Sequence, residues 1–222
     1  MRVHRADDVA GQVSALNAIM QDLNDQTSAD PVGHRDRKRA ETYARIQTAA
    51  IRLFFAQGFD ATTLDHIAAE AGVSRRSLFH YFGSKEDIVF STKAGLGEMI
   101  AQAVARRPVD EPLLTMAENA LTDMAANWQG PGPRALARLV HDTPALRAGD
   151  HAKYAALEQT LASSLAQRKG LSASDEPVRV ASLASIAILR HATEQWLAAD
   201  DGRGPEVFGR AAFLALRSLA RD

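Results

Sequence analysis

Apolar residues in this chain recur at spacings of three and four from Val9 to Leu219, and no segment alternates as a strand does. That period puts the apolar side chains on one stripe of a helix, and each stripe must find a packing partner. Glycine and proline cut the pattern at Gly58, Gly72, Pro108, Gly130-Pro131-Gly132-Pro133, Gly202 and Gly204-Pro205. The spacing predicts an all-α chain of about nine helices with one extra helix near the N-terminus. The extra helix carries Val9, Val13, Leu16, Met20 and Leu23, and a linker of Asp, Ser, Pro, Gly and charged residues follows to about residue 36. Helix 37–57 carries Tyr43, Ile46, Ala50, Leu53 and Phe54 on one stripe. A single helix is expected over 85–107, with Gly95 and Gly97 as either a soft point or a close crossing. Later helices are expected at about 112–128, 134–141, from an Asp150 cap onward, at 175–199 and at 206–220.

Residues 62–85, TTLDHIAAEAGVSRRSLFHYFGSK, hold the most chemical information. Thr63 is a helix N-cap, because its hydroxyl can accept from a free backbone N–H of the first turn. Ile67, Ala68 and Ala71 form a small apolar face, and Gly72 supplies the positive φ of a tight turn. Ser74 caps the next helix, whose buried face is Leu78 and Phe82. Arg75, Arg76 and Ser77 fall in its first turn. Two short helices joined in this way form a helix-turn-helix, with hydrogen-bond donors at the end that meets base edges in a major groove.

Charge is distributed to match. Residues 34–85 hold nine Lys and Arg against five Asp and Glu, a local charge of +4 in a chain whose net charge is −1. The remainder carries 17 basic against 22 acidic residues, or −5. A basic head on an acidic body approaches DNA with one end. The chain has no Cys, which excludes disulfides and thiolate metal sites. It has no apolar run near 18 residues and no apolar leader in MRVHRADDVAGQV, so no membrane span is expected and a cytoplasmic location is.

The string from Ala49 to Glu86 resembles the DNA-binding domain of the TetR family of bacterial transcription regulators. The carrying residues are Ala49, Leu53, Gly58, Phe59, Thr62, Thr63, Ile67, Ala68, Gly72, Val73, Ser74, Leu78, Tyr81, Phe82, Ser84, Lys85 and Glu86. The resemblance implies a homodimer placing two copies of helix 75–82 in successive major grooves of a palindromic operator, and repression as the usual outcome. Arg75 and Arg76 are then the base readers, since Arg pairs bidentately with guanine O6 and N7. Ser77 assists, and His80 reads a base or a phosphate. Thr62, Thr63, Ser74, Tyr81 and Lys85 hold phosphates. Arg35, Arg37, Lys38 and Arg39 reach the backbone or the minor groove. Phe79 departs from the pattern: many members have Tyr there, whose hydroxyl bonds a phosphate.

Three segments are expected: an extension at 1–34, a DNA-binding domain at 35–84, and an effector-binding and dimerisation domain at 85–222. The extension reads either as an arm packing on the partner subunit or the DNA domain, or as the result of a mis-chosen start codon, with Met20 as one alternative start. Helices 176–199 and 206–220 have broad apolar faces with small residues (Ala181, Ala184, Ala187, Ala211, Ala212) suited to a four-helix dimer interface. Met116, Leu121, Met124, Trp128, Leu139, Leu157, Leu161 and Trp196 are the candidate walls of an apolar effector pocket, since Met adapts to irregular space. The run from Asp142 to Arg168 also resembles the sensor domain of TetR members near mycofactocin-type operons, which brings an acyl-CoA ester into the effector candidates.

Other functions find less support. There is no G-x-S-x-G, no H-E-x-x-H and no phosphate-cradling glycine loop, so neither an enzyme nor a cofactor is expected. His191 and Glu194 can share a helix face, but a third metal ligand at fixed spacing is missing. The main alternative is a ligand-free architectural DNA-binding protein, which needs only a small, filled accessory domain.

Overall fold

The computed structural model describes residue 9 and residues 11–15, 34–92, 95–126, 131–199 and 201–219. Among these there is no strand, and a short helical segment at 11–15 precedes ten helices. They are α1 (His34–Gln57), α2 (Leu64–Glu70), α3 (Arg75–Tyr81), α4 (Lys85–Ser91), α5 (Leu96–Ala105), α6 (Leu113–Ala126), α7 (Pro131–Asp142), α8 (Pro144–Lys169), α9 (Glu176–Ala198) and α10 (Pro205–Leu219). They sort into two compact units. The head takes the residues up to Gly95 together with Pro131–Arg147, and the body takes Leu96–Gly130 with Ala148–Asp222.

The head closes around α1. Ile46, Ala50, Ile51 and Phe54 pack with Phe59, Ile67, Ala68, Leu78 and Phe82 in one buried cluster. Tyr43 stacks 4.7 Å from Phe82, and Phe54 lies 5.0 Å from Phe59. Ile88 and Val89 of α4 are fully buried in the same cluster, so α4 packs with the head, beyond the expected boundary at 84. Leu136 and Val140 of α7 and Leu146 of α8 join it. Val13 is buried there too, with Val9 packed against it. Leu16, Met20 and Leu23 lie outside the described residues.

Three expectations about elements need correction. The helix expected over 85–107 is two helices. Ser91 Oγ and Thr92 Oγ1 bond back to the Ile88 and Val89 carbonyls at 2.7 and 2.6 Å, where such side chains compete with the helical ladder. A Cβ on Gly97 would stand 3.5 Å from Thr160 Oγ1, an ordinary contact, so no close crossing demands glycine there. Asp150 is not a cap. It lies inside α8, which starts at Pro144, and its carboxylate accepts from Lys153 Nζ at 2.6 Å. Finally, α7 begins at Pro131 rather than 134, because prolines are tolerated in a first turn whose N–H groups have no intrahelical partner.

The body's core is a separate cluster. Ile100 and Val104 of α5, Met116 and Leu121 of α6, Leu161 and Leu165 of α8, Val178 and Ile186 of α9 and Phe213 of α10 meet there. An ionic staple holds the loop between α5 and α6 onto the end of α8. Arg107 donates to both Glu111 carboxylate oxygens at 2.6 and 3.0 Å, and Asn119 donates to one of them at 2.8 Å. Arg168 donates to the Arg107 carbonyl at 2.7 Å, and Lys169 donates to the Val109 and Glu111 carbonyls at 2.6 and 3.0 Å.

The hydrogen bond from Arg107 holds the Glu111 carboxyl below the usual glutamate range, against a smaller opposing effect of burial. A carboxyl lowered in the folded state stabilises the fold above its unfolded pKa, and that contribution disappears as pH falls through the folded value. Glu111→Gln is therefore expected to cost about 2 kcal/mol of stability at neutral pH, seen as a lower denaturant midpoint. The loss should shrink as both proteins are taken to pH 3, which parallel urea titrations will read.

Candidate nucleic-acid interface

The elbow between α2 and α3 is built from local rules. Thr63 Oγ1 accepts from the His66 N–H at 3.1 Å, and His66 Nδ1 faces the Thr63 N–H at 3.5 Å, a capping box with His in place of Glu. At the other end of α2, Gly72 adopts φ +64°. Its N–H bonds the Ala69 carbonyl at 3.2 Å, and the Val73 N–H bonds the Ala68 carbonyl at 3.0 Å. These two bonds make a Schellman stop, which needs a residue free of a Cβ penalty at its left-handed position. Ser74 Oγ then accepts from the Ser77 N–H at 3.0 Å and starts α3. Leu78 and Phe82 point inward, so the opposite face of α3 is presented outward.

That outward face carries Arg75, Arg76, Phe79 and His80, all exposed. Arg75 is not a loose side chain. Its Nη1 donates to Asp65 Oδ2 at 2.8 Å, and its guanidinium carbon lies 5.6 Å from the centre of the Phe79 ring. His80 sets its ring edge-on to Tyr81 at 5.6 Å. Arg35, Arg37, Lys38 and Arg39 are exposed on the first turns of α1. Arg37 makes a distant ion pair with Glu41 at 4.0 Å. Thr63 and Ser74 are exposed, and Ser77 and Tyr81 are half-buried. Arg75, Arg76 and Ser77 lie in the first turn of α3 with Ser74 as its cap, and His80 and Tyr81 lie at its C-terminal end.

Two expected phosphate contacts are placed elsewhere. Thr62 is 1% exposed. Its hydroxyl donates to the Gly58 carbonyl at 2.8 Å and accepts from Gln57 Nε2 at 3.2 Å. It closes the turn after α1 and has no surface for DNA. Lys85 gives two of its three donors to the Phe59 and Thr62 carbonyls, at 2.8 and 3.2 Å, with its ammonium 4.3 Å over the Phe59 ring. It ties the same turn to the start of α4. Sequence reasoning missed Asp65, whose tie to Arg75 spans ten positions and two elements.

The candidate effector residues are mostly core. Met116, Leu121, Met124, Leu157 and Leu161 are buried in the body's cluster, and Trp196 is buried as well. Leu139 packs on the head's core instead, because α7 belongs there, and it is not a wall of a body pocket. Trp128 lies outside the described residues. A small cleft of about 20 Å³ opens between α6, α9 and α10, lined by Leu121, Thr122, Ala192, Thr193 and Phe213 among others. Beside it Tyr154 bonds Thr193, and burial pushes the phenol above its usual pKa. Lys153 lies 4.2 Å over the Tyr154 ring. Among the described residues no three His, Asp or Glu gather as metal ligands, and no helix is long and apolar enough to cross a membrane.

Residues 46–92 match the family model for bacterial regulatory proteins of the tetR family, and residues 111–220 match the MftR C-terminal domain. The HTH-type transcriptional regulator TcmR of Streptomyces glaucescens is 32% identical over 152 residues, which span 65% of this chain and 67% of TcmR. A protein of Mycobacterium tuberculosis, named as the mycofactocin biosynthesis transcriptional regulator MftR, is 30% identical over 182 residues, spanning 79% of this chain and 89% of that protein. A TetR-family regulator from Mesorhizobium loti superposes with a TM-score of 0.55 at 20% identity, covering 81% of this chain and 95% of its own. One from Streptomyces coelicolor superposes at 0.51 and 20%, covering 82% and 96%. These two likenesses are of fold.

Lys85 separates internal from DNA-facing roles. Lys85→Ala is expected to cost about 1.5–3 kcal/mol of stability, since two carbonyls lose a charged donor. The salt dependence of DNA binding should keep its slope. A slope flattened by about one charge with stability unchanged would return Lys85 to a phosphate.

Proposed function

The chain belongs to the TetR family of bacterial DNA-binding transcriptional regulators, and from that premise we propose that it is a homodimeric repressor released from a palindromic operator by a small, mostly apolar effector. The observation that carries the DNA reading is the outward face of α3, where Arg75 stands anchored between Asp65 and Phe79 beside Arg76. Anchoring matters because a pre-placed guanidinium loses less freedom on pairing with guanine. Acting on DNA, the protein works in the cytoplasm.

Dimerisation is supported by what the single chain leaves uncovered. Val180, Leu183 and Ala187 form one exposed stripe on α9, and Val207, Ala211 and Leu214 form another on α10. Apolar stripes of this kind call for a partner surface, and a twofold pairing of α9 and α10 covers both at once. The small residues divide between two roles. Ala181 is buried in the subunit's own core, whereas Ala187 and Ala211 remain exposed.

The effector reading rests on the body. Its buried Met116, Leu121, Met124, Leu157 and Leu161 suit an apolar chain, and Tyr154, Thr193 and Lys153 suit a polar end. An acyl-CoA ester is the first candidate, in line with the match of residues 111–220 to the MftR C-terminal domain. The chain passes between head and body after Gly95, Gly130 and Arg147, which gives a shift in the body three covalent routes to the head. The coupling is reciprocal, so operator DNA weakens effector binding by the same factor.

Three experiments test these readings. Leu183→Glu and Leu214→Glu are each expected to yield monomers in sedimentation, and intact dimers in both would remove α9 and α10 from the interface. A thermal-shift series with acyl-CoA esters of increasing chain length should raise the melting temperature progressively. Operator duplex should reduce that shift. Release of the operator by no ester and no cell-extract fraction would favour the architectural alternative. Arg75→Ala and Arg76→Ala should each cost roughly 1–3 kcal/mol of operator affinity and relax one base position.

A further inference from the structure

We propose that Phe79 reads the 5-methyl group of a thymine next to, or two base pairs from, the guanine taken by Arg75; this rests on the reading that α3 enters the major groove. Phe79 is 45% exposed, although Leu78 and Phe82 of the same short helix are almost fully buried. A large aromatic ring left in water gives up the burial that its neighbours gain. The Arg75 guanidinium lies 5.6 Å from the ring centre. That guanidinium is held in turn by Asp65 at 2.8 Å through one amino group, which leaves other N–H donors for guanine O6 and N7.

The chemistry of the ring selects its target. A phenyl group has no donor for a phosphate, and pressing it against one would strip water from the charge without replacing a bond. In the major groove the apolar group on offer is the thymine methyl. The position fits the reading helix. Residues four apart on a helix have Cβ atoms about 5–6 Å apart, and successive bases lie about 3.4 Å apart along a strand. Phe79 and Arg75 therefore address bases no more than about two steps from each other. Asp65 and Phe79 hold one Arg between them, so the guanine and the methyl are read as a unit.

The test uses the full chain and a duplex recovered by selection from a random pool with the wild-type protein. Each thymine of that duplex is replaced in turn by deoxyuridine, which removes only the methyl. Wild type is expected to lose roughly fourfold in affinity per half-site, the worth of one buried methyl, at one thymine within two base pairs of the guanine relaxed in Arg75→Ala. Phe79→Ala, checked for folding by circular dichroism, should bind thymine and uracil duplexes equally. If wild type binds the selected duplex but ignores uracil at every position, the methyl reading is overturned while DNA reading by α3 stands. If Phe79→Tyr tightens binding to all duplexes alike and uracil has no effect, the position faces a phosphate and the proposal falls. If selection returns no duplex, the DNA-binding reading fails and takes this one with it.

Discussion

The DNA-facing end of the molecule depends on the left-handed backbone at Gly72, with φ +64°. Helices α2 and α3 have seven residues each, too few to persist alone in water. They exist because Gly72 stops the first, Ser74 starts the second, and Ile67, Ala68, Leu78 and Phe82 lock both onto α1. A residue with a Cβ at position 72 would strain the turn even though open space surrounds it. The direction of α3, and with it the positions of Arg75 and Phe79, follows from this one bend.

A second constraint is the division of the chain between two cores. The head borrows α7 and the first turn of α8 from a part of the sequence far from the helix-turn-helix. The body keeps its own core and its own ionic staple around Arg107 and Glu111. Continuous chain runs between the two units at three places, and one of them lies inside α8. Two units with their own cores, joined covalently, suit a regulator in which a bias in one is felt in the other.

Much of this was legible in the residues. Caps at Thr63, Ser74 and Ser84 and the turn at Gly72 follow from local rules, and the structure shows each of them. The all-α class follows from the period of three and four. What failed were assignments that depend on tertiary packing. Thr62 and Lys85 are polar residues in a polar stretch, and nothing local shows that both turn inward to close the loop after α1. Leu139 has the period of a core residue, but the period does not say which core. Asp150 precedes an apolar stripe as a cap would, yet α8 had already begun at Pro144. Asp65 escaped notice because its partner is on the next helix. Phe79 stood out in the sequence only as a missing hydroxyl, and the stack with Arg75 gives it a different use.

Reading of bases by α3 is tested most directly by dimethyl sulfate protection of guanine N7, an atom that lies in the major groove. On a selected duplex, wild-type protein is expected to protect guanines in two half-sites whose centres are separated by one helical turn of about 10–10.5 base pairs, or a multiple of it. Arg75→Ala should lose protection at one guanine per half-site and keep the rest. Protection of adenine N3 in the minor groove alone, or N7 protection untouched by substitution at both Arg75 and Arg76, would contradict it.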